Sequence, residues 1–184
     1  MVIVIVVIVL VLLLGLTFVL IRNGMIASRN KVDESWSGID VQLKRRHDLI
    51  PNLVETVKGY ATHENQTFTA VTQARADAMK AGSVEATQEA EAKLSGALTD
   101  LRAVAEQYPN LRATENFQQL QRDLNEIEDE IQASRRIYNS NVQSYNTKIQ
   151  IFPNSIIANS GGFTAREFFE IETAAERDPV QVKF

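Results

Sequence analysis

The side chains able to do acid, base or metal chemistry in this chain are few. His47 and His63 are its two histidines, and cysteine is absent. No thiolate zinc site, cysteine nucleophile or disulfide framework is therefore available. His63-Glu64 begins like an H-E-x-x-H zinc motif, but Thr67 stands where the second histidine belongs. No carboxylate cluster completes a ligand set around either imidazole, so both read as surface histidines. Glu126, Glu128, Asp129 and Glu130 form an acidic cluster. Paired carboxylates can do acid/base work when one of them is buried. Here they flank Ile127 and Ile131 on a helical repeat and read as a solvated face, with a divalent-cation site as the alternative. Lys44-Arg45-Arg46 is a basic triplet. Asp40 lies one helical turn before Lys44, so ion pairing is favoured over a lipid-headgroup patch.

Tyr138-Asn139 and Tyr145-Asn146 repeat at a spacing of seven. They are either a polar recognition strip or a core seam whose amides fix register, as polar residues do in coiled coils. The second reading is preferred. There is no glycine-rich phosphate loop with a lysine partner and no Ser-His-Asp set. The expectation is no catalytic residue, no metal and no cofactor.

The elements that position these residues are helices. Met1 to Ile21 reads MVIVIVVIVLVLLLGLTFVLI, with no charged residue. At about 1.5 Å per residue it reaches about 31 Å, the thickness of a hydrocarbon core. No basic segment precedes it and no small-residue cleavage site closes it, so it reads as an uncleaved anchor rather than a signal peptide. Arg22, Arg29 and Lys31 follow the span, then the basic triplet. The positive-inside rule then puts the soluble domain in the cytoplasm and the N-terminus outside, at a bacterial inner membrane. A domain facing the periplasm or the exterior is the alternative. Formal net charge is -4. Residues 22–80 carry nine basic and seven acidic side chains, whereas 81–153 carry seven and eleven. That balance makes no nucleic-acid footprint, which needs a strongly basic face.

Beyond the anchor, Trp36, Leu43, Ile50 and Val57 form one seven-residue series. Ile39, Arg46, Leu53 and Tyr60 form a second, with Arg46 as its polar exception. Pro51 interrupts the seam, yet the phase is the same on both sides of it. One long helix from the membrane to about Lys80 is favoured, with a break near Asp48 as the alternative. Ala81-Gly82-Ser83 is a turn, with Ser83 as N-cap of a second helix over Val84 to about Gln107. Pro109-Asn110 stops that helix, and Thr114 caps a third that runs to Phe152-Pro153. The expected architecture is all-α: a transmembrane helix (1–21), an antiparallel coiled-coil-like bundle of three to four helices (22–153), and an irregular docked tail (154–184). If the first helix is continuous, the second covers only its outer part. Trp36, Ile39, Leu43 and Arg46 would then be exposed and would pack against other copies of the chain.

Particular stretches resemble a known family. They are Trp36-Ser37-Gly38-Ile39-Asp40-Val41-Gln42-Leu43-Lys44-Arg45-Arg46, Asp48-Leu49-Ile50-Pro51-Asn52-Leu53-Val54 and Val57-Lys58-Gly59-Tyr60-Ala61. Tyr108-Pro109-Asn110-Leu111, Ala133-Ser134-Arg135-Arg136-Ile137-Tyr138-Asn139, Tyr145-Asn146, Phe152-Pro153 and Val182-Lys183-Phe184 add to them. Together they are similar to the LemA family of bacterial membrane proteins over nearly the whole chain. The resemblance implies one N-terminal membrane helix and an antiparallel four-helix bundle, which favours a break at Pro51. It implies no catalytic residues. Three functions compete: a self-associating scaffold on the bilayer, an adaptor or sensor holding an unknown protein partner, and, last, an enzyme.

Overall fold

The computed structural model describes residues 1–170. Six helices follow in order: α1 (Val2–Lys58), α2 (Asn65–Ala78), α3 (Val84–Glu106), α4 (Pro109–Arg112), α5 (Glu115–Gln150) and α6 (Asn154–Gly161). Among the described residues there is no strand. The chain divides into two compact units. The first is Met1–Gly38 with Arg136–Phe168. The second is Ile39–Arg135 with Phe169 and Glu170.

In the second unit, α1, α2, α3 and α5 surround one apolar core. Ile50, Leu53 and Val57 of α1 meet Phe68 and Val71 of α2, Leu94 and Leu101 of α3, and Phe117 and Leu124 of α5. α1 passes Pro51 without a break, as the unbroken phase requires. Proline has no N–H, so the carbonyl four residues back loses its helical donor. That carbonyl belongs to His47, and Arg75 Nε of α2 donates to it at 2.7 Å. The helix therefore survives its proline because a neighbour replaces the missing bond. Arg75→Met is expected to cost about 1–3 kcal/mol, since it leaves a part-buried acceptor unsatisfied. In a Pro51→Ala background, where the backbone N–H returns, that cost shrinks. A double-mutant cycle by chemical denaturation measures the difference; equal costs in both backgrounds would refute the account.

α1 ends at Lys58 rather than continuing to Lys80. Gly59 is the poorest non-proline helix former. Tyr60 and Ala61 both donate back to Val57 C=O and close the turn. Reversal there lets Phe68 and Val71 enter the same core as Val57. Ser83 caps α3 as expected, its hydroxyl accepting from Ala86 N–H at 3.1 Å. Thr114 Oγ1 accepts from Phe117 N–H at the start of α5.

In the first unit, α5 runs antiparallel to α1. Asn141 Nδ2 donates to Lys31 C=O, and Lys148 Nζ donates to Gly24 C=O and Ser28 Oγ. Met25 and Val32 of α1 and Tyr138, Val142, Tyr145 and Ile149 of α5 are buried. Residues 154–161, expected to be irregular, form α6. It ends at Gly162, whose left-handed backbone (φ 69°) suits glycine. The part of the expected docked tail beyond Glu170 lies outside the described residues.

Candidate functional site

α5 supplies the recognition surface of the first unit, and an extended segment after α6 occupies it. Tyr138 and Tyr145 are one heptad apart, so both rings point to the same side of the helix and are buried. Tyr138 packs against the half-buried Trp36, with ring centroids 5.4 Å apart and planes at 59°. Its hydroxyl donates to Glu167 C=O at 2.9 Å. Asn146, on the adjoining stripe, grips one residue from both ends. Its Nδ2 donates to Arg166 C=O at 2.9 Å and its Oδ1 accepts from Arg166 N–H at 2.8 Å. The amide thus pairs with the peptide backbone as a neighbouring strand would. Arg166 Nη2 then reaches Asp33 Oδ1 of α1 at 2.6 Å. The Arg29 guanidinium lies over the Phe163 ring at 5.7 Å. Two backbone readers, one acid and one aromatic contact hold Phe163–Glu167 on the helix pair.

The tyrosines therefore lie in a core seam, while Asn139 and Asn146 are half-buried and Asn146 binds peptide backbone. Register fixing by buried amides is not how Asn146 is used; it recognises an extended segment. Burial pushes the Tyr138 hydroxyl up from its usual 10.0, partly offset by Arg166. Tyr145 is raised for the same reason, with Arg166 and Arg29 opposing. Because the folded pKa is raised, the neutral form stabilises the fold fully below pH 10.0. That stabilisation is lost as pH rises through the folded value, since the unfolded chain ionises first. Alkaline titration of tyrosinate absorbance is expected to show a late step in the wild type that disappears in Tyr138→Phe/Tyr145→Phe. An unchanged titration would contradict the burial.

The second unit holds a buried ionic cluster. Glu91 of α3 is fully buried on the apolar face of its helix, next to Leu94. Its Oε2 accepts from Arg46 Nη1 at 3.1 Å, and its Oε1 accepts from His47 Nε2 at 2.6 Å. Arg46 Nη2 also donates to Ser95 Oγ at 2.8 Å and lies 3.5 Å from Glu128. Charge and donors match here, so each buried group is satisfied.

This arrangement corrects three expectations. His47 is buried, not a surface histidine. Glu128 faces Arg46, so the acidic cluster is not wholly a solvated face. Ile39, Leu43 and Arg46 are buried within the chain itself, so they are not an exposed seam awaiting other copies; Trp36 is half-buried against Tyr138. The physical reason is topological. The reversal after Lys58 adds one helix to the bundle, and α5 then runs back along α1, covering residues that a three-helix count leaves bare. Glu91 was not singled out from the sequence. The available signal was an acid interrupting one apolar face while Arg46 interrupted another. Among the described residues no three histidine, aspartate or glutamate side chains gather as a metal-binding group.

The model of the LemA family matches residues 35–184, most of the chain. The chain belongs to the LemA family. A LemA protein of Metamycoplasma hominis is 28% identical over 141 residues, 74% of this chain and 63% of its own length. The magnetosome proteins MamQ 2 of Paramagnetospirillum magneticum and MamQ of Magnetospirillum gryphiswaldense are 24% and 23% identical. Those matches cover 87% and 88% of this chain and 68% and 69% of theirs. This LemA-family chain thus spans a little under two thirds of its Metamycoplasma relative. With its apolar N-terminal span, which shows no burial within the protein, it is a membrane-anchored protein.

Proposed function

We propose that this protein is a non-enzymatic, membrane-anchored helical scaffold that self-associates at the membrane and organises bilayer or holds partner proteins there. The observation that carries this reading is that the apolar span and the bundle share one helix, Val2–Lys58. No flexible linker is spliced between anchor and domain. The groups best suited to chemistry support it too. Arg46, His47 and Glu91 satisfy one another in the interior. Similarity to magnetosome proteins is consistent with work at a membrane. With Ile39 and Leu43 covered, self-association falls to the lipid-facing anchor and the outer faces of the bundle. Positive-inside flanks support a cytoplasmic domain in a bacterial cell membrane.

Lysine-reactive crosslinking of unextracted membranes tests self-association. A ladder of homo-multimers is expected, and a single uncrosslinked band across crosslinker concentrations would contradict it. Protease added to sealed cells should spare the domain. A second reading is an adaptor for a protein partner whose backbone replaces the chain's own Arg166–Glu167 segment in the clamp of Tyr138 and Asn146. It predicts one stoichiometric partner in a pull-down that is lost in Asn146→Ala.

A further inference from the structure

The turn between α5 and α6 exposes apolar side chains that nothing among the described residues covers. Phe152 is 80% exposed, the highest value of any large apolar residue outside the span among those described. Ile151 and Ile156 beside it are 51% and 63% exposed. Three neighbouring large apolar residues in water are unfavourable and mark a surface with a partner.

The register of the first unit identifies the partner. Trp36 stacks on Tyr138, Asn141 reaches Lys31, and Lys148 reaches Gly24 and Ser28. Each step down α5 is thus matched by a step back along α1 toward the anchor. Carried past Gln150, the same pairing sets Ile151 and Phe152 level with the Leu20–Met25 stretch. That is where the apolar run ends and the first charge, Arg22, appears. The turn therefore sits at the edge of the hydrocarbon core, beside the helix that spans it.

The chemistry of the turn suits that depth. Between Lys148 and Arg166 no residue is charged, so entry requires no ion to be desolvated. Several polar groups of the turn, which lipid would not satisfy, have partners within it. Ser155 N–H donates to Ile151 C=O at 2.9 Å, Ile151 N–H to Thr147 C=O at 3.1 Å, and Asn154 Nδ2 to Lys148 C=O at 3.0 Å. Phe and Ile on a short amphipathic element match the groups that interfacial helices bury at the headgroup–acyl boundary.

We infer that Ile151, Phe152 and Ile156 form a wedge that inserts into the leaflet next to the transmembrane helix. The protein then holds the membrane at two points, a span and a shallow interfacial contact. The wedge occupies area in one leaflet only.

The absence of native cysteine makes the test direct. Phe152→Cys, Ile156→Cys and the reference Gln143→Cys, an exposed α5 position farther from the anchor, are each labelled with an environment-sensitive fluorophore. The full-length variants are reconstituted in vesicles of phosphatidylcholine and phosphatidylglycerol. The expected result is a blue-shifted emission at 152 and 156, with quenching by lipids spin-labelled near the headgroup stronger than at 143. Equal lipid quenching at all three positions, with iodide on both sides of the membrane reaching them alike, overturns the inference. Protection of 152 from iodide without lipid quenching also overturns it, and assigns the patch to a second copy of the chain.

Discussion

Glu91→Ala is expected to destabilise the protein by about 3–5 kcal/mol, because it leaves the buried Arg46 charge without its main counter-ion. Arg46 and Glu91 side chains are 7% and 0% exposed, so water does not replace the lost partner. Glu128 remains 3.5 Å from the guanidinium but is 43% exposed and sits in a higher-dielectric setting. His47 Nε2 loses its acceptor in the same substitution. For a chain of this size the loss corresponds to a midpoint lower by roughly 6–20 °C. Thermal denaturation of the full chain in detergent, followed by circular dichroism, measures it. The pair also makes an opposite prediction. Replacing Arg46 and Glu91 together by methionine removes both charges and fills similar volume, so most of the loss should be recovered. If Glu91→Ala shifts stability by less than about 1 kcal/mol, or the double substitution is no better than the single, the ionic cluster is not what holds these helices.

Phe169→Ala should release the described end of the chain at a cost of about 3–5 kcal/mol, the usual range for deleting a buried phenyl ring. Phe169 is fully buried in the second unit, with the Arg135 guanidinium over its ring at 5.6 Å. Because a terminal segment can detach without unfolding the bundle, the loss should appear as local opening rather than as a lower global midpoint. Hydrogen exchange at residues 163–170 is the readout. The wild type should protect Phe163, whose N–H donates to Ala158 C=O, and Arg166, held by Asn146. Protection at these amides should fall sharply in Phe169→Ala while α3 amides are unchanged. Protection equal to wild type would mean that the ring contributes little to docking.

The helices themselves were legible because the apolar residues repeat at helical spacing and the stops are chemical. Ser83 caps, Pro109 ends one helix and starts another, and Phe152-Pro153 closes α5. Continuity through Pro51 was readable from phase, but its support was not, since Arg75 comes from another helix. One local reading changed the global one. The heptad phase carries the first helix past Gly59 to about Lys80, and the chain reverses at Gly59 instead. That single reversal alters the direction of every later helix and turns a supposedly bare stretch of α1 into the partner of α5. The clamp was half visible. The Tyr-Asn repeat stood out, but its target, the backbone of Arg166 and Glu167, has no sequence signature, since any residue offers the same N–H and C=O. Glu91 escapes the sequence, and His47 reads there as a surface residue, for a related reason: a buried polar pair shows only when two separate apolar faces are superposed.

Membrane attachment rests on the span, and the scaffold reading rests on more than one copy meeting there. The most direct test is the mass of the full-length protein in mild detergent, by light scattering with the detergent contribution subtracted. The scaffold predicts a protein mass that is a multiple of the 20.6 kDa chain and persists on dilution. A protein mass of one chain at every concentration would contradict it.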